Sequence, residues 1–233
     1  MDIVVLFSGG LDSTTLAQYA KDEGDRELHL LTFDYGQTHD LEIGAAVWLA
    51  ENFLKPKTHR VMRLELPDLV KSRLVGTQDG DLATMTLEEM GANSPAYVPG
   101  RNTIFVSLGL GLAESIGAKE LWVGATANDD QGFPDCRYTY FRAWDSLIEE
   151  MGCDVRLRFD FVARYKKQVI EYGASKNVPF ERTVSCYKMG APLIAALQGG
   201  IPLHCGRCDA CTTRKAAFGL AKIDDPTEYA VDL

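Results

Sequence analysis

Short apolar runs alternate along this chain with segments whose apolar residues recur at helical spacing. Ile3-Val4-Val5-Leu6-Phe7 reads as a first buried strand. It breaks at a glycine pair and is followed by a helical segment. Leu28–Asp34 predicts a second strand, Leu41–Phe53 a helix and His59–Leu66 a third strand. A stretch rich in Gly, Asp and Thr then forms an irregular excursion, and excursions of that length usually carry function. Helical period returns over Arg101–Ala118, Tyr140–Gly152 and Arg164–Asn177, with a strand at Glu120–Ala125 and a polar loop from Asp129 to Arg137. Strands alternating with helices predict an α/β fold, a doubly wound and mainly parallel sheet. We expect residues 1–182 to form that domain and residues 183–233 a small cysteine-bearing appendage.

Composition narrows the partners. The 233 residues suit one large domain, and an apolar share of 46% is enough for a substantial core. Lys and Arg number 24 against 33 Asp and Glu, a formal charge of −9. Proteins that grip a nucleic-acid backbone carry a basic face, so a small-molecule substrate is expected and nucleic acid is not. The first apolar run is too short for a secretory leader and lacks a basic flank. No run approaches the roughly 20 residues that span a bilayer. The expectation is a cytoplasmic protein without membrane contact.

Candidate chemistry begins where the first strand ends. Phe7, Ser8, Gly9, Gly10, Leu11, Asp12, Ser13, Thr14 and Thr15 form a strand–glycine turn–helix start. Such a turn aims backbone N–H groups and the positive end of a helix dipole at an anion. The lysine that a Walker loop needs for terminal phosphoryl transfer is missing. The stretch "SGGLDS" resembles instead the PP-loop of ATP pyrophosphatases, which hold pyrophosphate as a leaving group. In those enzymes the aspartate, here Asp12, helps organise magnesium and phosphate.

Further stretches sharpen the resemblance. "FDYGQTH" (Phe33–His39) ends the second strand, "PGRNTIF" (Pro99–Phe105) starts a helix, and "GFPDCR" (Gly132–Arg137) lies in the polar loop. Cys186 joins Cys205, Cys208 and Cys211 in a Cys-x18-Cys-x2-Cys-x2-Cys spacing. In this order they resemble the QueC family of 7-cyano-7-deazaguanine synthases over Phe7–Phe218. The resemblance implies an adenine nucleotide alpha hydrolase-like fold. It also implies ATP-dependent conversion of 7-carboxy-7-deazaguanine and ammonia to the nitrile, releasing AMP and pyrophosphate. It assigns ATP and Mg2+ to the loop, phosphate or adenylate contacts to Arg101 and Lys166, and a homodimer to the assembly. Tyr35, Gln37 and His39 are expected to line the site, with Asp130, Asp135 and Arg137 as substrate contacts. Where the family has Asp-Tyr-Ser-Gly-Tyr-Pro-Asp-Cys-Arg-Pro, this chain has "NDDQGFPDCRY", and "ARYKKQ" replaces Ser-Lys-Ala-Glu.

Four thiolates form a closed tetrahedral zinc site, and Cys-x2-Cys-x2-Cys also occurs around iron–sulfur clusters. The family resemblance favours structural Zn2+, although the Cys186–Cys205 gap is longer than the family's. Cys136 reads as a small buried hydrophobe before a nucleophile. Tyr138, Tyr140, Phe141 and Trp144 read as helix core. Three other functions fit parts of the pattern: a PP-loop tRNA thiolase, a QueC-like defence paralogue that joins a deazaguanine to a protein acceptor, and a non-enzymatic nucleotide-binding module. The acidic charge weighs against the first and the intact loop against the last.

Overall fold

The computed structural model describes residues 1–37, 41–70, 72, 74, 75, 96–130, 132–187 and 201–230. Its centre is a five-stranded parallel sheet in the order β3-β2-β1-β4-β5. The strands are β1 (Asp2–Leu6), β2 (Glu27–Asp34), β3 (Thr58–Arg63), β4 (Glu120–Trp122) and β5 (Arg156–Arg158). The helices around them are α1 (Leu11–Asp22), α2 (Leu41–Leu49), α3 (Arg101–Ile116), α4 (Tyr138–Glu150) and α5 (Lys166–Ser175). The chain steps outward from β1 to β3, then returns to the other side of β1 for β4 and β5. The direction therefore reverses between β1 and β4, the place where open α/β sheets bind ligands beyond their strand ends.

Side chains alternate across the sheet, so each inner strand feeds two cores. Val4, Leu31 and Leu121 pack with Val106 and Leu110 of α3 and Phe141 and Trp144 of α4. Ile3, Val5, Leu30 and Trp122 pack on the opposite side with Leu16 of α1, Leu49 of α2 and Val169 of α5. Burial on both faces explains why β1 and β2 read as nearly unbroken apolar runs. Of the α4 aromatics, Phe141 and Trp144 join the core while Tyr138 is exposed.

Several boundaries differ from the sequence pattern for local reasons. The helix expected through Phe53 loosens after Leu49 into a π-helical turn, Ala50–Leu54. Lys55 stops it in a left-handed conformation (φ 48°), its N–H donating to the Ala50 carbonyl at 2.8 Å. The third strand lies at the sheet edge with Val61 exposed, which dilutes its alternation. β5 was not legible, because only Leu157 of Arg156–Arg158 is buried. The expected excursion lies largely in residues 76–95, and the long cysteine gap in 188–200; both fall outside the described residues.

The C-terminal segment adds β6 (Leu203–His204), α6 (Asp209–Ala221) and β7 (Glu228–Tyr229), with β6 and β7 paired in a separate two-stranded sheet. Ala217 and Phe218 of α6 enter the same core as Val169 and Ile170 of α5. Among the described residues, no helix is long and apolar enough to cross a membrane.

Helix α3 rides close on the sheet at Gly109, where an added Cβ would stand 2.8 Å from Leu121 Cδ1 and 2.9 Å from Leu6 Cδ2. Overpacking at such a contact costs about 1–3 kcal/mol. Gly109→Val should therefore lower the midpoint of urea unfolding while leaving the denaturant slope unchanged.

Candidate active site

At the carboxyl ends of β1 and β4 lies a cavity of about 390 Å³. One end is the glycine loop. Gly9 takes it through a left-handed turn (φ +80°), and an added Cβ would sit 2.6 Å from the Ala46 nitrogen of α2. Gly10 caps α1 with extended backbone. The serines brace the turn internally: the Ser8 N–H donates to Ser13 Oγ (3.2 Å), the Gly10 N–H to Ser8 Oγ (3.2 Å) and Ser13 Oγ–H to the Gly10 carbonyl (3.2 Å). The first-turn N–H groups of Leu11, Asp12 and Ser13 have no carbonyl to bond within the helix, as at any helix start. Phe7, Ser8, Gly10, Leu11, Asp12 and Ser13 line the cavity. Thr14 and Thr15 turn away from it. The Thr14 hydroxyl donates to the Gly10 carbonyl at 2.8 Å, and Thr15 Oγ1 is buried without a hydrogen-bond partner on the side of α5 Gly173.

Opposite the loop, Lys166 opens α5 and reaches Asp12 Oδ2 at 2.8 Å. Its backbone N–H is taken by Asn128 Oδ1 at 2.8 Å, which fixes the helix start beside the cavity. Asp129 is held there too, accepting from the Thr126 N–H (2.9 Å) and hydroxyl (2.8 Å) at Oδ2. Burial works against the Lys166 charge, but the Asp12 and Asp129 carboxylates together hold its pKa above the usual lysine value. Burial raises the pKa of Asp12 against the pull of Lys166. Asp12 Oδ1 is buried and has no hydrogen-bond partner.

The far end is aromatic and carries one cation. Phe33 and Phe105 stack at 4.1 Å with their planes 11° apart. Tyr35 meets Phe105 edge-on, and its hydroxyl accepts from Arg101 Nη1 at 3.2 Å. Burial disfavours the Arg101 charge, but Tyr35 and, more weakly, Asp135 hold the guanidinium above its ordinary pKa. Gln37 spends both ends of its amide on the backbone, accepting the Tyr35 N–H (2.8 Å) and donating to the Phe33 carbonyl (3.3 Å). It shapes the wall more than it offers a contact. His39 lies outside the described residues.

The polar loop distributes its residues otherwise than its sequence suggests. Asp135 is buried behind the cavity wall, where its Oδ2 accepts the Asn102 N–H at 3.3 Å and stabilises the start of α3. Burial raises its pKa against Arg101, and its Oδ1 has no partner. Asp130 and Arg137 pair with each other at 3.4 Å in a surface depression outside the cavity. The acid that faces the cavity is the neighbouring Asp129. Cys136 lines the wall and accepts from Asn102 Nδ2 at 3.3 Å. Burial pushes its thiol well up, which makes it a poor nucleophile.

The cysteine segment supplies the last wall, with Val184, Ser185 and Tyr187 beside Asp209, Ala210 and Thr213 of α6. The sulfurs of Cys186, Cys205, Cys208 and Cys211 lie within 4.8 Å of one another. Cys208 and Cys211 are 3.5 Å apart, Cys205 and Cys211 3.9 Å, and Cys186 and Cys208 4.0 Å. A tetrahedron with metal–sulfur bonds of about 2.3 Å has edges of about 3.8 Å. The Cys205 and Cys208 N–H groups donate to Cys186 and Cys205 sulfurs at 3.3 and 3.4 Å, and such bonds favour thiolates. The donor set fits a single tetrahedral ion.

The loop geometry makes a direct prediction. Gly9→Ala forces a Cβ onto the α2 backbone in a conformation that alanine disfavours. Nucleotide affinity should fall at least about tenfold, measured by calorimetric titration, with the far-ultraviolet circular dichroism of the sheet and helices unchanged.

Residues 2–222 match the family described as queuosine biosynthesis protein QueC. A 7-cyano-7-deazaguanine synthase from Acaryochloris marina is 36% identical over 99% of this chain and 100% of its own length. One from Thermoplasma acidophilum is 37% identical over 97% of this chain and 91% of its own. A solved U34-tRNA thiolase from Methanococcus maripaludis is 13% identical over 100% of this chain and 77% of its own, with a TM-score of 0.48, a likeness too loose to bear on function. With family match and relatives both spanning nearly its whole length, the chain belongs to the QueC family.

Proposed function

We propose that this protein is a 7-cyano-7-deazaguanine synthase. It would convert 7-carboxy-7-deazaguanine and ammonia to the nitrile and release AMP and pyrophosphate at each of two adenylations. The observation that carries the reading is the cavity itself. It joins an anion-binding helix start to an aromatic, cation-bearing end within one volume.

A carboxylate resists attack by ammonia because its carbonyl carbon is electron-rich and oxide is a poor leaving group. Attack of the carboxylate on the ATP α-phosphorus forms an acyl adenylate and expels pyrophosphate. Ammonia then displaces AMP to give the amide. The amide oxygen is adenylated in turn, and its departure as AMP, with loss of the nitrogen protons, leaves the nitrile. The protein's part is to bind and orient. The N–H groups of Leu11, Asp12 and Ser13 receive the departing pyrophosphate. Lys166 stands beside them to offset its growing charge, and Arg101 orients the acid or its adenylate from the other end. Phe33, Phe105 and Phe133 line the cavity, and the water they exclude is kept from hydrolysing the adenylates.

Asp12, Asp129 and Lys166 together carry one net negative charge, which by itself repels a polyanion. The buried, unpartnered Asp12 Oδ1 fits a cation. Magnesium there would be held by Asp12 and neutralise charge on the leaving pyrophosphate. Zinc would be held by Cys186, Cys205, Cys208 and Cys211. The sulfur spacing supports a single ion over an iron–sulfur cluster, whose metal atoms hold their thiolates farther apart. The homodimer rests on the family resemblance alone.

Purified protein incubated with ATP, magnesium, 7-carboxy-7-deazaguanine and ammonium should accumulate the nitrile over many turnovers, followed by mass spectrometry. AMP and pyrophosphate without nitrile would move the acceptor elsewhere, to a protein partner. Asp12→Ala should cut pyrophosphate release by about two orders of magnitude or more, and unchanged turnover would sink the assignment of the loop. Metal analysis should find one zinc per chain in a colourless protein, and removal by a chelator should lower the melting temperature.

A further inference from the structure

Arg214 has no part in the chemistry above, yet it is one of the largest fully buried side chains, at 1% exposure. Its guanidinium ties α6 to two stretches of chain, residues 180–185 and 225–227. Nη1 donates to Thr183 Oγ1 (2.9 Å) and Ser185 Oγ (3.0 Å), Nη2 to the Phe180 carbonyl (2.7 Å) and Nε to Thr227 Oγ1 (2.7 Å). Its carboxylate neighbour is Asp225, with Nε 3.7 Å from Oδ1. A buried guanidinium with four donors engaged fixes its acceptors in place, since leaving any donor unpaired is costly.

Two of those acceptors flank Val184. The Val184 N–H donates to the Gly9 carbonyl at 3.1 Å. On the next residue, a Cβ added to Gly10 would lie 3.2 Å from the Val184 carbonyl. The glycine pair is thus held between Ala46 of α2 and Val184, and Val184 is held by Arg214. The guanidinium is also near enough for its charge to act on Asp12.

We propose that Arg214 is a positioning residue for the pyrophosphate loop: by clasping Thr183 and Ser185 it keeps the Val184 N–H on the Gly9 carbonyl and so holds the loop in its anion-binding shape. The proposal rests on reading that loop as the pyrophosphate site. The rival is a staple that merely ties α6 to the domain, and it predicts a loss of stability without a change in anion binding.

The probe is inorganic pyrophosphate with magnesium, titrated calorimetrically into wild-type protein, Arg214→Lys and Thr183→Val. Thr183 is buried and does not line the cavity, so Thr183→Val deletes one Arg214 acceptor, together with the hydroxyl's own 2.8 Å bond to the Phe180 carbonyl, without touching a ligand. Loss of a charge-assisted hydrogen bond predicts pyrophosphate Kd raised by about tenfold in Thr183→Val, and by more in Arg214→Lys. KM for ATP should rise in parallel, with KM for the deazaguanine acid and the zinc content unchanged. The double variant should bind no worse than Arg214→Lys, because both changes cut one path. A lowered melting temperature with unaltered pyrophosphate Kd, or equal rises in both KM values, would overturn the proposal. Should Arg214→Lys fail to fold, Thr183→Val decides the matter. Wild-type protein that does not bind pyrophosphate would overturn the reading of the loop itself, and the inference with it.

Discussion

The structure turns on one close approach. Gly9 passes through a left-handed turn with α2 so near that a single methyl group would stand 2.6 Å from the Ala46 nitrogen. That contact brings three parts of the chain to one point: the end of β1, the helix that follows β2, and the segment leading to Cys186. Each then supplies a wall of the cavity. Glycine satisfies both the dihedral and the clearance, and no other residue does so without moving α2. The sheet reversal between β1 and β4 opens the space in front of the loop, and the loop turns helix-start N–H groups of the kind that suit an anion toward it.

Charge in the cavity is arranged by distance from that turn. The ammonium of Lys166 is carried into a mostly buried position by Asp12 and Asp129, both of which favour its charged form. Arg101 holds the other end through Tyr35 and Asp135. Lys166 and Arg101 both line the cavity, Lys166 beside the glycine loop and Arg101 beside Tyr35, which suits a reaction between two anionic substrates, an acid and a nucleotide. In a chain of net charge −9, the local field at the cavity depends on these few buried groups, and the acids beside Lys166 leave room for a cation as well.

What was legible in the sequence was local. Strands β1 and β2 are buried on both faces and declared themselves as apolar runs, and the glycine loop is a contiguous string. The cysteines could be grouped because a tetrahedral ion dictates short spacings. Tertiary context decided the rest. Asp129 and Asp130 are adjacent residues of one type, yet Thr126 holds the first in the cavity wall while Arg137 pairs with the second at the surface. Asp135, an expected substrate contact, is buried and accepts the Asn102 N–H at the start of α3, a placement its sequence does not reveal. Arg214, within "CTTRKAAF", looks like any helix-surface cation, and its burial follows from partners as distant as Phe180 and Thr227.

The cysteine segment is best understood through the same connections. A domain with two layers of helices on a parallel sheet already buries a large core, so a metal staple is not needed to make it fold. An ion held by the four cysteines would instead fix a stretch of irregular backbone whose Val184 and Cys186 are buried beside Ala45 of α2. Residues 183–187 have no regular secondary structure. They nonetheless carry Val184 onto the loop and place Ser185 and Tyr187 in the cavity wall. Irregular backbone keeps a single conformation only where its polar groups are pinned. Here Arg214 pins one end and Cys186, among its three partner sulfurs, the other. The cysteine cluster and the buried arginine therefore bear on the same few residues, the ones that meet the glycine loop.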